Sequence, residues 1–185
     1  MQYRITSDWQ STLAALDGNA AAATRAIRSA MTRTIQSARA EATRAIVDRY
    51  SVSAGDVRAV IEAKSKPAET SIVGEIVGKG ARIPLTRFPH TPTAPGTGGR
   101  GRPRLYIEIV RGERKPIPGA FVMRAAGATR IAQRQGRARF PVRALSTIPI
   151  PMMLGVLAPR IMEHAQRTFT ERLAHEIGRA TKGAK

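Results

Sequence analysis

Apolar residues recur at helical spacing near both ends of the chain and alternate in its middle. Ile27, Met31, Ile35, Ala38, Ala42, Ala45 and Ile46 fall on one stripe, with Arg25, Arg28, Arg33, Arg39 and Arg44 on the opposite side. This predicts a long amphipathic helix over residues 20–50, capped by Asn19, whose side chain can accept a first-turn N–H. Residues 1–8 read as a lead-in, with Ser7 or Asp8 capping a short helix from Trp9 that Asp17-Gly18-Asn19 interrupts. Ser53 or Asp56 caps a further short helix through about Lys64, with Val57, Val60 and Ile61 facing inward. Near the other end Ile161, Ala165, Phe169, Leu173 and Ile177 recur every four residues and predict a C-terminal helix over 152–181. Pro159 suits a first turn, so the regular part of that helix is expected from near Ala158.

Between the helices the pattern changes to short alternating runs broken by Gly and Pro. After a break at Lys66-Pro67, residues 70–77 alternate and read as a strand. Gly78-Lys79-Gly80 turns the chain into a second strand over 81–85, ended by Pro84 and Pro89. Residues 89–103 lack apolar anchors and read as a loop or arm, ordered only in an assembled particle. Residues 105–110 form the clearest strand, and residues 111–114 turn it back. Pro118-Gly119 makes a turn, followed by a strand at 121–123, a turn at 125–127, a strand at 129–133, a turn at Gln135-Gly136 and a last strand at 139–142. Pro149 and Pro151 end the β region. The expected fold is a single α+β domain over 1–185: a helical part (1–65), a central antiparallel sheet of short strands (70–150, with the loop 89–103) and a C-terminal helix (152–181).

Composition constrains how this core is filled and what it meets. Hydrophobic residues are 42% of the 185, but aromatics only 4%, so Ala, Ile, Val, Leu and Met must build the interior. Lys and Arg number 31 against 13 Asp and Glu, a formal charge of +18 that calls for a polyanionic neighbour. The acids are unevenly spread: between Ile76 and Met162 only Glu108 and Glu113 occur. Arg124, Arg130, Arg134, Arg137 and Arg139 stud the ribbon over 117–151, which contains no acid. There is no cysteine, no basic-then-apolar leader and no run of about 20 apolar residues, so the expectation is a protein of the reducing cytoplasm with no membrane partner.

Candidate chemistry is sparse. His164 and His175 lie eleven residues apart on the predicted last helix, about 16 Å at 1.5 Å per residue, too far to share a metal, and His90 lies in the loop. Glu108 and Glu113 flank a turn among arginines and read as local ion pairs rather than an acid and base. No nucleophile elbow or phosphate-binding glycine loop of the required spacing occurs, so no enzyme, metal or cofactor is expected. Gly99-Arg100-Gly101-Arg102-Pro103-Arg104 looks like an AT-hook, an extended segment whose arginines meet the negative potential of a narrow minor groove. A free-standing basic nucleic-acid-binding protein with such an arm is therefore one functional expectation.

The ribbon carries a second. Pro118, Gly119 and Phe121, then Gln133 and Arg134, then Gly136, then Phe140 and Pro141 resemble the signature stretch of the phage minor tail protein Z family. These are the tail completion proteins of lambda-like, long-tailed phages. Length, an Ala- and Arg-rich N-terminal helix, a basic Gly-containing segment before the ribbon and a C-terminal helix are also similar. Where the family carries a denser Arg/Lys run, this chain has the loop that ends in Gly-Arg-Gly-Arg-Pro-Arg. The resemblance implies a structural virion protein, made in the host cytoplasm and located at the head-proximal end of the tail. It implies a role in tail assembly, head–tail joining and positioning of the genome end. It further implies a homo-oligomeric ring of six copies that contacts other tail and connector proteins. Arg100, Arg102, Arg104, Arg124, Arg130, Arg134, Arg137 and Arg139 are then candidates for a lumen holding packaged double-stranded DNA by nonspecific phosphate contacts, or for an acidic protein interface.

Overall fold

The computed structural model of the chain describes residues 2–6, 9–68, 71–96 and 104–182. Helix α1 (Trp9–Ala14) ends in a tight reversal. The Gly18 N–H reaches the Leu13 carbonyl at 3.1 Å and the Asp17 N–H reaches that of Ala14 at 3.3 Å. This closure puts Asp17 (φ 50°) and Gly18 (φ 73°) in the left-handed region. Asn19 then caps α2 (Ala20–Arg49), its Oδ1 accepting the Ala22 N–H at 3.0 Å. Every apolar residue of the predicted stripe, from Ile27 to Ile46, is buried. Ser53, rather than Asp56, caps α3 (Ala54–Val60) by accepting the Asp56 N–H at 3.0 Å.

Helix α4 (Ile150–Lys182) packs along α2 in the opposite direction: Ser29 meets Glu176, Ser37 meets His164, and Glu41 meets Arg160. Two carboxylates are buried in this contact. The Oε1 of Glu41 accepts from Arg160 Nε at 3.1 Å and Nη2 at 2.8 Å, and its Oε2 accepts from Arg44 at 3.0 Å. Glu176 accepts from the Ser29 hydroxyl at 2.8 Å and pairs with Arg179 at 2.7 Å.

The expected α+β fold is what the chain forms. Its described strands are shared among three small antiparallel sheets of three strands each. The first sheet holds β1 (Gln2–Thr6), β2 (Ile61–Ala68) and β3 (Ser71–Gly78), with β3 in the middle. The second holds β4 (His90–Thr91), β5 (Leu105–Glu108) and β6 (Arg114–Ile117). The third holds β7 (Ala120–Ala125), β8 (Ala128–Arg134) and β9 (Val142–Ala144) in sequence order. One apolar core joins all three to the helices: Met31 and Ile35 of α2, Ile61 and Ile76, Leu105 and Ile107, Val122 and Ile131, and Met153, Leu154 and Ile161 of α4. The C-terminus of α2 is tied to the second sheet, because Arg111 donates its Nε and Nη2 to the Val47 carbonyl at 3.2 and 2.9 Å. That cation meets the last-turn carbonyls that the helix itself leaves unpaired.

Several expectations need correction. Residues 2–6 are a strand rather than a lead-in, with Ile5 buried opposite Gly74. The helix after Ser53 stops at Val60, because residues 61–68 pair with β3 along its full length. Pro67, expected to break the chain, lies inside β2, and β6, which contains Pro116, begins at Arg114, the last residue of the expected turn over 111–114. Both are edge strands, where one face of the backbone needs no partner. Residues 81–85 form no strand: Pro84 makes an isolated bridge to Ser146, and a 3-10 turn, Leu85–Arg87, follows. Pro159 lies in the interior of α4, which begins at Ile150; Pro151 occupies the first turn, where the missing N–H costs nothing. Part of the expected loop over 89–103 is the short strand β4, and residues 97–103 lie outside the described residues. Ser7 and Asp8, the expected caps of α1, also lie outside them.

Gly74 sits on β3 against α2. A Cβ there would lie 2.7 Å from Met31 Sδ and 2.9 Å from Ile35 Cγ1, and closer still to Ile35 Cδ1. Gly74→Ala is expected to lower the unfolding free energy by about 1–3 kcal/mol, read as a reduced urea midpoint at unchanged slope.

Glu176 makes stability pH-dependent. It is 2% exposed, and the Ser29 hydroxyl, then Arg179 and Arg33, hold its carboxyl below the usual carboxylate range against the opposing effect of burial. The lowered folded-state value means its contribution is complete above the ordinary 4.5 and is lost as pH falls through the lowered value. Urea midpoints should therefore decline below about pH 4.5, and Glu176→Gln should flatten that decline while lowering the midpoint at pH 7.

Candidate functional site

The third sheet carries the residues that the sequence singles out, and its shape is set by two turns. At the first, Pro118 presets φ and Gly119 adopts φ 71°. Gln133 reaches across from β8 and donates its Nε2 to the Pro118 carbonyl at 2.8 Å, so three signature residues form one clamp at the root of the hairpin. At the second turn Ala126 (φ 49°) and Gly127 (φ 75°) form a two-residue connection between β7 and β8. Two successive positive φ values match the twist of a tight hairpin, and Asn-Gly is the sequence that takes them most readily. The β8–β9 connection is a longer bend closed by the Gln135 N–H on the Pro141 carbonyl at 3.1 Å, with a cis peptide bond between Phe140 and Pro141. A Cβ on Gly136 in this bend would meet open space, so steric crowding does not explain that glycine.

Register assigns the side chains to faces, since residues directly opposite in an antiparallel pair point the same way. Val122 lies opposite Ile131, and both are buried in the main core. On that face, towards the hairpin tip, Arg124 lies opposite Thr129; at the other end Arg143 lies opposite Gln133. The other face holds Phe121 opposite Ala132, Met123 opposite Arg130 and Arg134 opposite Val142. The Arg134 guanidinium stands 5.8 Å over the Phe121 ring. Arg137 and Arg139 lie in the bend, where Arg139 stands 5.8 Å over the ring of Phe140. A cleft of about 380 Å³ runs beside β8, with Thr86, Arg130 and Ser146 among its walls.

Thus Arg124, Arg130, Arg134, Arg137 and Arg139 are all exposed on one small sheet, but they are divided between two faces and a loop rather than aligned in a row. Arg104 is exposed just before β5. Arg100 and Arg102 lie outside the described residues. The last strand, expected over 139–142, is Val142–Ala144, so Arg139 and Phe140 fall in the bend and Arg143, which the sequence reading missed, enters the sheet; the absence of any acid from Lys115 to Met162 was the available signal.

This sheet carries no carboxylate of its own. Elsewhere some cations find carboxylates, among them Arg4 with Glu75, Arg87 with Asp56 and Lys115 with Glu113, while others, such as Arg25, Arg28, Arg167 and Arg172, pair with none among the described residues. Among the described residues no carboxylate pairs with Arg124, Arg130, Arg134, Arg137, Arg139 or Arg143. The neighbouring acids are already engaged. Glu108 accepts the Gly112 N–H at 3.2 Å and the Ser51 hydroxyl at 3.0 Å, which hold its carboxyl below the usual range, so hydrogen bonds rather than an arginine pair satisfy it. Glu113 is held low by its partner Lys115.

The histidines are separately placed. His164 Nε2 lies 3.0 Å from the Ser37 hydroxyl between the long helices, and His90 Nδ1 lies 2.7 Å from the Phe88 carbonyl. Among the described residues no three His, Asp or Glu side chains group in a way that would hold a metal ion, and no helix is long and apolar enough to cross a membrane.

Because Ala126 occupies a left-handed position that an alanine resists, Ala126→Asn is expected to raise the unfolding free energy by about 1 kcal/mol, seen as a higher thermal midpoint. Compared with protein-family models, curated proteins and solved structures, the chain matches none.

Proposed function

We propose that this chain is a structural virion protein, a phage tail completion protein at the head-proximal end of the tail, whose third sheet faces nucleic acid. One observation carries the nucleic-acid side of this reading: six exposed arginines on the β7–β9 sheet lack a carboxylate partner among the described residues. Exposed cations that the chain does not neutralise are free to release counterions from a polyanion. Their division between two faces and a bend suits contact with a phosphate backbone and not the reading of base edges, which requires a few side chains converging in one groove. The phage assignment rests on the signature residues, of which Pro118, Gly119 and Gln133 form the clamp that shapes this sheet. In this role the protein is not an enzyme. It assembles as a ring of six copies on tail and connector proteins, and its arginines line the path of packaged double-stranded DNA.

The test combines light scattering at moderate salt with addition of the protein to phage tails that lack it. The expected result is a species that joins the tail end in a defined stoichiometry and restores joining to heads. The variant Arg130→Gln/Arg134→Gln/Arg137→Gln/Arg139→Gln should join tails equally well. Its DNA binding should lose about 3.6 from the slope of log affinity against log salt, since each of the four phosphate contacts contributes about 0.9. A monomer or dimer that ignores tails yet binds DNA with a steep salt dependence would replace this reading with that of a free-standing nucleic-acid-binding protein.

A further inference from the structure

We infer that the β8–β9 bend captures an unpaired nucleic-acid strand by stacking a base on Phe140. This rests on the proposal that the third sheet faces nucleic acid, and it narrows which form of nucleic acid the sheet prefers. Aromatic residues are scarce in this chain, and the other phenylalanines are covered at least in part: Phe88 and Phe169 are buried and Phe121 is half-buried. Phe140 is instead 64% exposed, more than any other large hydrophobic side chain among those described as exposed. An exposed flat ring set among unpaired guanidinium groups offers a face on which another flat group can stack.

The bend does not leave that ring free to collapse. The Arg134–Val142 pair and the Gln135 N–H on the Pro141 carbonyl close the loop on either side of it. Phe140 is therefore held at the edge of the sheet beside Arg139, whose guanidinium stands 5.8 Å from its ring centre. Arg137 and Arg143 flank it in sequence, and no acid lies between Glu113 and Glu163. A second cation–ring pair, Arg134 over Phe121, lies on the adjoining strands.

The chemistry that matches a flat ring among unpaired guanidinium groups is an anionic chain that also offers flat apolar faces. An unpaired strand has both, and its bases stack on an aromatic ring without regard to sequence. A duplex hides its base faces within the stack and offers only phosphates to the same loop. An acidic protein surface would match the charge, but it would not distinguish paired from unpaired strands.

The full-length protein should be titrated at about 0.15 M salt against three labelled probes of equal charge: a blunt duplex, a duplex with a single-stranded overhang and a single strand. The wild type is expected to bind the overhang and the single strand about tenfold more tightly than the blunt duplex, the scale of one base stack. Phe140→Leu keeps apolar bulk but loses the flat face; it should remove that preference and leave blunt-duplex affinity unchanged. Phe140→Trp should retain the preference. Equal binding of all three probes by the wild type, or a preference that survives Phe140→Leu, would overturn the inference while leaving the nucleic-acid reading of the sheet intact. Failure to bind any probe would overturn both this inference and the nucleic-acid reading of the sheet.

Discussion

The contact between α2 and α4 is the constraint on which the remaining structure depends. Helix α2 is rich in buried alanines, including Ala30, Ala38, Ala42 and Ala45, and near its start Ala23 and Ala26 pack with Leu173 and Ile177 of α4. Small residues let the two backbones approach closely, but they contribute little transfer free energy each and specify register poorly. Polar pairs supply the register. Glu41 with Arg160 and Glu176 with Ser29 can form at only one axial offset of two antiparallel helices. Burying a carboxylate with its partners satisfied contributes little net stability. Shifting the helices by one turn would cost Glu41 its Arg160 pair and Glu176 its Ser29 hydrogen bond, leaving each buried carboxylate with its same-helix arginine and less than its full set of partners.

Once the two helices are held, the sheets have fixed places to dock. The first lies against α2 at Gly74, where the missing side chain lets β3 approach Met31 and Ile35. The second is stitched to the end of α2 through Arg111 and the Tyr50–Val110 bridge. The third follows through Val122 and Ile131, and a backbone bond from the Leu145 N–H to the Ile131 carbonyl extends its pairing beyond β9. The outer parts of this last sheet are not covered by any other element among the described residues, and its arginines and Phe140 face outward. The arrangement separates two uses of arginine. On α2 and α4, Arg44, Arg160 and Arg179 pair with buried carboxylates and hold the fold. On the third sheet it has no such partner among the described residues, and there it is available for a neighbour.

Much of this was legible in the residues alone. The stripe from Ile27 to Ile46, the Asn19 and Ser53 caps and the arginine-studded hairpin at Pro118-Gly119 all follow from local chemistry. Periodicity, capping and positive-φ turns are properties of a few neighbouring residues, and they survive whatever the rest of the chain does. The acid-free stretch around the third sheet was equally plain, because charge is counted and not inferred. Which arginines share a face was not, because that depends on register across strands rather than on spacing along one.

What only the tertiary structure decided lies where pairing with a distant segment outweighs local preference. Residues 61–68 leave the helical pattern because β3 offers a full ladder of hydrogen bonds, and residues 2–6 become a strand because β3 has a second free edge. Pro67 reads as a break in a one-dimensional pattern, yet edge strands accommodate both it and Pro116. Pro159 reads as a helix start, yet α4 runs through it because burial of Met153, Leu154, Ile161 and Phe169 along α2 outweighs one lost backbone bond. The chain by itself determined the two long helices, the turns and the distribution of charge, each a sum over near neighbours. The strand partners, the division into three sheets and the exposure of Phe140 were decided by contacts between residues far apart in sequence, whose free energy no local pattern contains.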